Sequence, residues 1–236
     1  TLSAYTCRTL ERLAEQRMLF TYATARSIHS ASIVAQGFTP KIPAVYHNGV
    51  ILAESSTGKT IFSNAFSEGQ RQELVELLEG YPPAPLVFSF INGEERVSWD
   101  TTKENEGIQY YLQHRKGDKR LRPINGKQGL FDGEVFTVTY IESRENLEGL
   151  HREFLKRGYT SIVFQQELYR EEYWLEIMPD GTSKANGIQH LKTLLQCDRV
   201  ISFGDALNDI PMFQVSDQCY AVENAAQALK EIATGI

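Results

Sequence analysis

Two aspartates and an asparagine follow one short apolar run near the end of this sequence. The run Arg199–Phe203 is rich in β-branched and aromatic residues, which is typical of a buried strand. Asp205, Asn208 and Asp209 come directly after it. Ligands of open α/β sheets bind beyond the carboxyl ends of the strands, and oxygen ligands there suit Mg²⁺ together with a substrate phosphate. The pattern predicts a cation and phosphate site, although Asp and Asn also build ordinary turns.

Two further polar residues stand at the ends of predicted elements. Thr24 ends a predicted strand, Met18–Ala23, and Lys184 begins a predicted helix that Ser183 can cap. Taken singly, a threonine at a strand end is ordinarily a turn residue, and a lysine at a helix N-terminus is slightly disfavoured by the helix dipole. Taken with the aspartates, they indicate one sheet edge that carries a hydroxyl, an ammonium and carboxylates.

The elements that must position these residues divide the chain into three segments. Residues 1–62 alternate helix and strand, which predicts βαβ units and a parallel sheet, and the same rhythm returns in residues 180–236. Residues 63–179 have mixed strands and helices, with a hairpin expected across Asn92-Gly93 and only weak patterning in residues 101–125. We therefore predict an α/β fold, a Rossmann-like parallel-sheet core made of the two outer segments, with an inserted α+β domain.

Composition limits the classes of partner. The 236 residues contain 24 Lys+Arg against 30 Asp+Glu, a net charge of −6, which argues against a broad nucleic-acid surface. The basic run His114–Arg122 is interpreted as a solvated loop. No apolar stretch approaches the roughly 18–20 residues of a membrane-spanning helix, so no membrane partner is expected. Three scattered cysteines, Cys7, Cys197 and Cys219, fit neither a disulfide framework nor a zinc site, which predicts a reducing, cytoplasmic setting.

The ordered combination of motifs resembles the haloacid dehalogenase superfamily of phosphohydrolases, in particular its Cof-like sugar phosphatases with a large inserted cap. The resemblance covers nearly the whole chain, and its most specific part is the metal motif Gly204–Met212. The other segments that carry it are Ala23–Arg26, Asn48-Gly49, Asp180–Lys184 and Glu223–Ala225. It implies that residues 63–179 are the cap domain and that residues 1–62 and 180–236 are the core.

The resemblance also implies contacts to the substrate phosphate. Thr24 and the backbone amide of Ala25 would hold the transferring phosphoryl group, and Asn208 would bind one of its oxygens. Lys184 would neutralise the phosphoryl charge and orient the nucleophile. Asn48 is a candidate phosphate or substrate residue from its position and the resemblance, since Asn-Gly is first of all a turn signal.

The cofactor implied by the resemblance is Mg²⁺. Asp205 would coordinate the ion and Asp209 would support the metal shell, so both are expected at the metal. Thr24, Lys184 and Asp209 are the residues expected to take part in catalysis. Charge placed against the phosphoryl oxygens is the main source of catalysis in phosphoryl transfer.

The sequence departs from the family pattern in two ways. Ala25 stands where the family has glycine, which is compatible with a backbone role if its φ is negative. The family's nucleophile motif, D-x-D-G-T, is not found in the chain. We expect this motif, and with it the nucleophile of an aspartyl-phosphate mechanism, to lie upstream of Thr1.

The predicted function is Mg²⁺-dependent hydrolysis of small phosphorylated metabolites, with sugar phosphates the leading substrates. Two alternatives remain open: a sugar phosphomutase with the same core site, and a non-catalytic module that binds phosphorylated ligands. NAD binding is a weaker alternative, because no G-x-G-x-x-G follows a strand. Neither the particular substrate nor the oligomeric state follows from the sequence.

Overall fold

A computed structural model describes residues 2–81, 83–164 and 172–236 of the chain. The chain forms two compact units. The first unit contains Thr1–Ser63 and Thr182–Ile236, and the second contains Asn64–Gly181. These boundaries fall within two residues of those drawn from the sequence. Among the described residues, no helix combines the length and apolarity needed to cross a membrane.

The first unit begins with two capped helices and a small sheet. Ser3 and Ser27 are the N-caps of the two helices, and each hydroxyl accepts a hydrogen bond from a backbone amide three residues later. The strands form an antiparallel sheet in chain order. The elements are α1 (Ala4–Glu15), α2 (Ile28–Val34), β1 (Ala44–Tyr46), β2 (Ile51–Ala53) and β3 (Thr60–Ser63).

The strand predicted at Met18–Ala23 is not formed as a strand. Only Ala23 pairs with Val45, in parallel, through two backbone hydrogen bonds of 2.9 and 3.0 Å. The neighbouring strand β1 has only three residues, so residues 18–23 cannot form a long hydrogen-bonded ladder with it. The βαβ units expected in residues 1–62 are not formed by the next two strands: β1 and β2 pair antiparallel, because the four residues between them are too few for a parallel crossover.

The second unit is built on one six-stranded mixed sheet of order β6-β5-β4-β7-β9-β8. The predicted hairpin across Asn92-Gly93 is confirmed, with Ile91 opposite Glu94. The weakly patterned stretch 101–125 contains a helix and an edge strand that had no clear signal in the sequence. The elements are α3 (Glu68–Leu78), β4 (Leu86–Ile91), β5 (Glu94–Asp100), α4 (Glu106–Gln113), β6 (Leu121–Ile124), β7 (Glu134–Glu142), α5 (Arg144–Lys156), β8 (Thr160–Phe164) and β9 (Tyr173–Met178).

The chain then returns to the first unit with the predicted alternation of helix and strand. Ser183 caps the first of these helices, as expected, by accepting a hydrogen bond from the Asn186 amide. The two strands pair in parallel, with Gly204 opposite Ala221. The elements are α6 (Lys184–Leu195), β10 (Ile201–Gly204), α7 (Ile210–Gln214), β11 (Gln218–Ala221) and α8 (Gln227–Ile232), with a 3₁₀ turn at Leu207–Asp209.

A buried ion triad holds strand β5 to the loop before β6 in the second unit. The Arg120 guanidinium lies 2.7 Å from the Glu95 carboxylate and 2.6 Å from that of Asp118, with side-chain exposures of 12%, 11% and 11%. Replacing Arg120 by alanine removes the guanidinium that both of these mostly buried carboxylates contact. We expect this variant to lose about 3–5 kcal/mol of unfolding free energy.

Urea denaturation followed by tryptophan fluorescence measures this loss, because both tryptophans of the chain, Trp99 and Trp174, belong to the second unit. The matched control is Lys127→Ala, which removes an ion pair to Glu79 whose side chains are 54% and 64% exposed. That control is expected to lose less than about 1 kcal/mol. Equal losses in the two variants would contradict the assignment.

Candidate active site

A buried lysine–aspartate pair lies at the centre of the candidate site. Lys184 is the first residue of α6, and Asp209 ends the 3₁₀ turn after β10. The Lys184 Nζ lies 2.6 Å from Asp209 Oδ1, and the two side chains are 8% and 5% exposed. Because isolated buried charges are costly, the pairing compensates the burial of both side chains and holds each of them in place.

The second carboxylate oxygen of Asp209 shapes the loop that follows β10. Asp209 Oδ2 accepts hydrogen bonds from the amides of Asp205 at 3.0 Å and Ala206 at 3.1 Å. A Cβ added to Gly204 would lie only 2.8 Å from this oxygen, so the glycine permits the close approach. Both oxygens of Asp209 are therefore engaged within the protein, which makes Asp209 a residue that positions Lys184 and the loop.

Asp205 presents the exposed carboxylate of the site. It lies directly after β10, and its backbone is fixed on both sides: the amide donates to Asp209, and the carbonyl accepts from Ala226 at 2.8 Å. This second bond brings the Glu223–Ala225 motif of the sequence analysis next to the metal motif. The loop thus holds the backbone of Asp205 while leaving its side chain open to solvent.

The donor set fits a magnesium ion that takes few protein ligands. Mg²⁺ typically uses one or two carboxylates and fills the remaining positions with water and phosphate oxygens. In residues 2–81, 83–164 and 172–236 no group of three or more His, Cys, Asp or Glu side chains is arranged to hold a metal. Asp205 supplies the exposed hard oxygen that such an ion requires.

The segment at Thr24 is a tight turn held to the end of β1. Thr24 Oγ1 accepts a hydrogen bond from the Arg26 amide at 3.1 Å, which is the ordinary turn role that the sequence left open. The Thr24 amide donates to the Val45 carbonyl at 2.9 Å. Ala25 does not have a positive φ, so alanine is compatible with the backbone there.

Asn48 and Asn208 contact each other across 160 positions of sequence. The Asn208 Nδ2 donates to Asn48 Oδ1 at 3.1 Å, and the Asn48 amide donates to the Thr24 carbonyl at 3.0 Å. Contacts thus connect the segment of Thr24 and Ala25 to Asn48, and Asn48 to the loop that carries the aspartates. The first unit brings together every site residue predicted from the sequence.

Strand β1 is anchored at its last residue by a buried tyrosine, two positions before Asn48. The Tyr46 hydroxyl donates to Ser55 Oγ at 2.9 Å and lies 3.0 Å from the hydroxyl of Tyr22. Burial raises the pKa of the Tyr46 hydroxyl well above its ordinary value. Tyr46 therefore stays neutral and acts as a fixed support for the turn that follows.

Sequence reasoning gave no role in the site to two glycines that shape it, Gly49 and Gly204. A Cβ on Gly49 would lie 2.0 Å from the Ser183 carbonyl oxygen, so the turn after β1 packs against the start of α6. The dipeptide Asn48-Gly49 does predict a turn from the sequence alone. Its backbone contact with Ser183 had no local signal, because the two residues are distant in sequence.

Comparisons with known proteins place the chain in a family. The family model for haloacid dehalogenase-like hydrolases matches residues 1–236. The chain is 22% identical to the 5-amino-6-(5-phospho-D-ribitylamino)uracil phosphatase YitU of Bacillus subtilis over 241 residues, 99% of this chain and 84% of the relative. The phosphatase BT1666 of Bacteroides thetaiotaomicron has a similar fold, with a TM-score of 0.76 at 16% identity, covering 100% of this chain and 82% of that one. The sugar phosphatase BT4131 of subclass IIB is also similar in fold, with a TM-score of 0.72 at 16% identity over 99% and 85% of the chains. With its whole length matched by the family model, this chain belongs to the haloacid dehalogenase-like hydrolases.

Proposed function

We propose that the chain belongs to a Mg²⁺-dependent phosphohydrolase that acts on small phosphorylated metabolites, with sugar phosphates the first class to test. The observation that carries the proposal is the buried Lys184–Asp209 pair beside the exposed carboxylate of Asp205. Catalysis of phosphoryl transfer needs positive charge and oxygen ligands fixed before the substrate arrives. A turn-forming loop without chemistry would not need a buried ammonium.

Each predicted residue has a role in this proposal. Lys184 places a fixed positive charge against the phosphoryl oxygens, while Asp209 holds Lys184 and the loop of Asp205. Thr24, the amide of Ala25 and Asn208 contact the phosphoryl group. The bound Mg²⁺, with Asp205 as ligand, would supply charge neutralisation of the phosphate.

The nucleophile in this proposal is an aspartate upstream of Thr1. Its carboxylate attacks phosphorus and the substrate alcohol leaves; water then releases phosphate and regenerates the carboxylate. Among the described residues, β10 pairs with β11 alone. Its side chains Ile201 and Phe203 are 48% and 64% exposed, which is unusual for apolar residues of a core sheet.

The second unit is, in this proposal, the cap that selects the substrate. Its composition of one mixed sheet and helices matches the inserted α+β domain predicted from the sequence. The similarity to YitU and BT4131 favours phosphorylated small molecules over macromolecules as substrates. A cytoplasmic setting remains part of the proposal and rests on the scattered cysteines.

Phosphate release from a panel of sugar phosphates tests the function. The chain extended by its native upstream sequence is assayed with Mg²⁺ and with EDTA, beside a version that begins at Thr1. We expect metal-dependent release from the extended chain and none from the shorter one. Isomerised product without phosphate release would instead establish a phosphomutase. Mg²⁺-dependent ligand binding without turnover would establish a non-catalytic binding module.

A further inference from the structure

Three consecutive residues after β1 have left-handed backbone conformations. The φ angles are 48° at His47, 54° at Asn48 and 105° at Gly49, and we name residues 47–49 the left-handed turn. Non-glycine residues avoid this region, and here two of them are buried, with exposures of 8% and 4%. Such strain persists only where the surrounding contacts enforce it.

Two backbone bonds of the left-handed turn hold the segment of Thr24. The His47 amide donates to the Arg26 carbonyl at 3.1 Å, and the Asn48 amide donates to the Thr24 carbonyl at 3.0 Å. These bonds fix the backbone on both sides of Ala25, whose amide is proposed to contact the phosphoryl group.

The third residue of the left-handed turn packs on the start of α6. A Cβ on Gly49 would lie 2.0 Å from the Ser183 oxygen and 2.5 Å from its carbonyl carbon. Any side chain at Gly49 would displace this backbone, since the contact is with main-chain atoms. Ser183 caps the helix whose first residue is Lys184, so the turn also sets the position of the lysine.

The middle residue reaches the metal loop through its side chain. Asn48 Oδ1 accepts from Asn208 Nδ2 at 3.1 Å, and Asn208 immediately precedes Asp209. Three segments that are far apart in sequence therefore meet at three consecutive residues. The left-handed turn therefore joins the segment of Thr24, the start of α6 at Lys184 and the loop that carries Asp205 and Asp209.

We propose that the left-handed turn is the element that positions the active site, and that Asn48 is a positioning residue that acts through Asn208. This inference rests on the proposed function. It differs from the sequence-based expectation for Asn48, which made this residue a candidate for contact with the phosphate or the substrate. The side-chain oxygen of Asn48 instead orients the Asn208 amide.

A double-mutant cycle tests the role of Asn48. Asn48→Gly removes the side chain and keeps the left-handed backbone, because glycine adopts it freely. In the extended chain, we expect this variant to lower kcat/KM by about 10- to 100-fold, as for loss of one positioned hydrogen bond. The double variant with Asn208→Ala is expected to be no worse than Asn208→Ala alone. Losses that multiply would overturn the proposal and restore a direct phosphate contact.

The chain supplies a matched control for each substitution. Asn92-Gly93 has the same sequence and left-handed angles of 53° and 77°, but it is a hairpin turn of the second unit. A Cβ on Gly93 would meet nothing within 4 Å. Asn92→Gly and Gly93→Ala are expected to leave kcat/KM unchanged, while Gly49→Ala lowers it. Equal effects of Gly49→Ala and Gly93→Ala would contradict the positioning role.

A second readout does not depend on turnover. The side-chain amide protons of Asn208, assigned by comparison with Asn208→Ala, are followed by hydrogen exchange in ¹⁵N NMR spectra. Asn48→Gly is expected to accelerate their exchange, whereas Asn92→Gly is not. Unchanged exchange would overturn the inference even if phosphate release is observed. Accelerated exchange in a chain that releases no phosphate would support the positioning contact while the proposed function fails.

Discussion

Replacing Asp205 by asparagine is expected to remove nearly all turnover and to weaken the dependence of the residual activity on Mg²⁺. The side chain is exposed at the carboxyl end of β10, and its backbone is held by Asp209 and Ala226. Asparagine has nearly the same shape, so the fold is retained while an anionic ligand becomes a neutral one. We expect kcat to fall by at least about 10²–10³-fold. Phosphate release measured across a Mg²⁺ titration provides both quantities.

The matched control for this substitution is Asp198→Asn. Asp198 is also an exposed aspartate, and it precedes β10 where Asp205 follows it, so it lies at the opposite end of the same strand. This control is expected to retain both activity and Mg²⁺ dependence. Near-normal turnover of the Asp205 variant with an unchanged Mg²⁺ midpoint would contradict the metal role of Asp205.

The candidate site residues could be predicted from the sequence because they stand where a predicted element begins or ends. Lys184 follows a capping serine, and Asp205 follows the last residue of a β-branched run, and both boundaries are local signals. The carboxyl ends of parallel strands and the helix starts beside them share one edge of a sheet. Local signals were therefore sufficient to predict which residues would meet in one unit.

The bonds between those residues could not be predicted in the same way. Asn48 and Asn208 are 160 positions apart, and nothing in the periodicity of either segment specifies their contact. The two oxygens of Asp209 are likewise divided between Lys184 and the amides of its own loop, which only the folded chain decides. The positive φ of His47 could not be predicted from the sequence, because histidine is not among the residues that typically form turns.

The prediction of a strand was wrong where the residues have a strand-like composition but lack a neighbouring strand to pair with. Residues 18–23 have the composition of a strand, yet Met18 and Leu19 are 51% and 55% exposed and only Ala23 makes a strand-type pairing. A strand requires a neighbour along its length, whereas composition reports only the capacity to pair. In the stretch 101–125 the reverse holds: Asn105 caps a helix of only eight residues, too short for a clear period.

Replacing Lys184 by alanine is expected to reduce kcat by about 10²–10³-fold, or about 3–4 kcal/mol of transition-state stabilisation. The ammonium is buried, lies 2.6 Å from Asp209, and is held by a helix start, so its charge is fixed before substrate binds. The same change leaves Asp209 buried without its cation, which destabilises the first unit by about 3–5 kcal/mol. Steady-state kinetics and thermal unfolding of the extended chain measure the two effects.

The two effects can be separated, because they depend on different charges. Lys184→Ala combined with Asp209→Asn removes the unpaired carboxylate, so we expect the unfolding temperature to recover while kcat stays low. Lys192→Ala is the matched control in the same helix, since Lys192 lies 3.9 Å from Asp217 with the two side chains 36% and 43% exposed. It should change neither quantity appreciably. If Lys184→Ala raises KM but leaves kcat intact, the lysine contributes equally to binding of substrate and transition state, and its proposed role in the phosphoryl-transfer step is wrong.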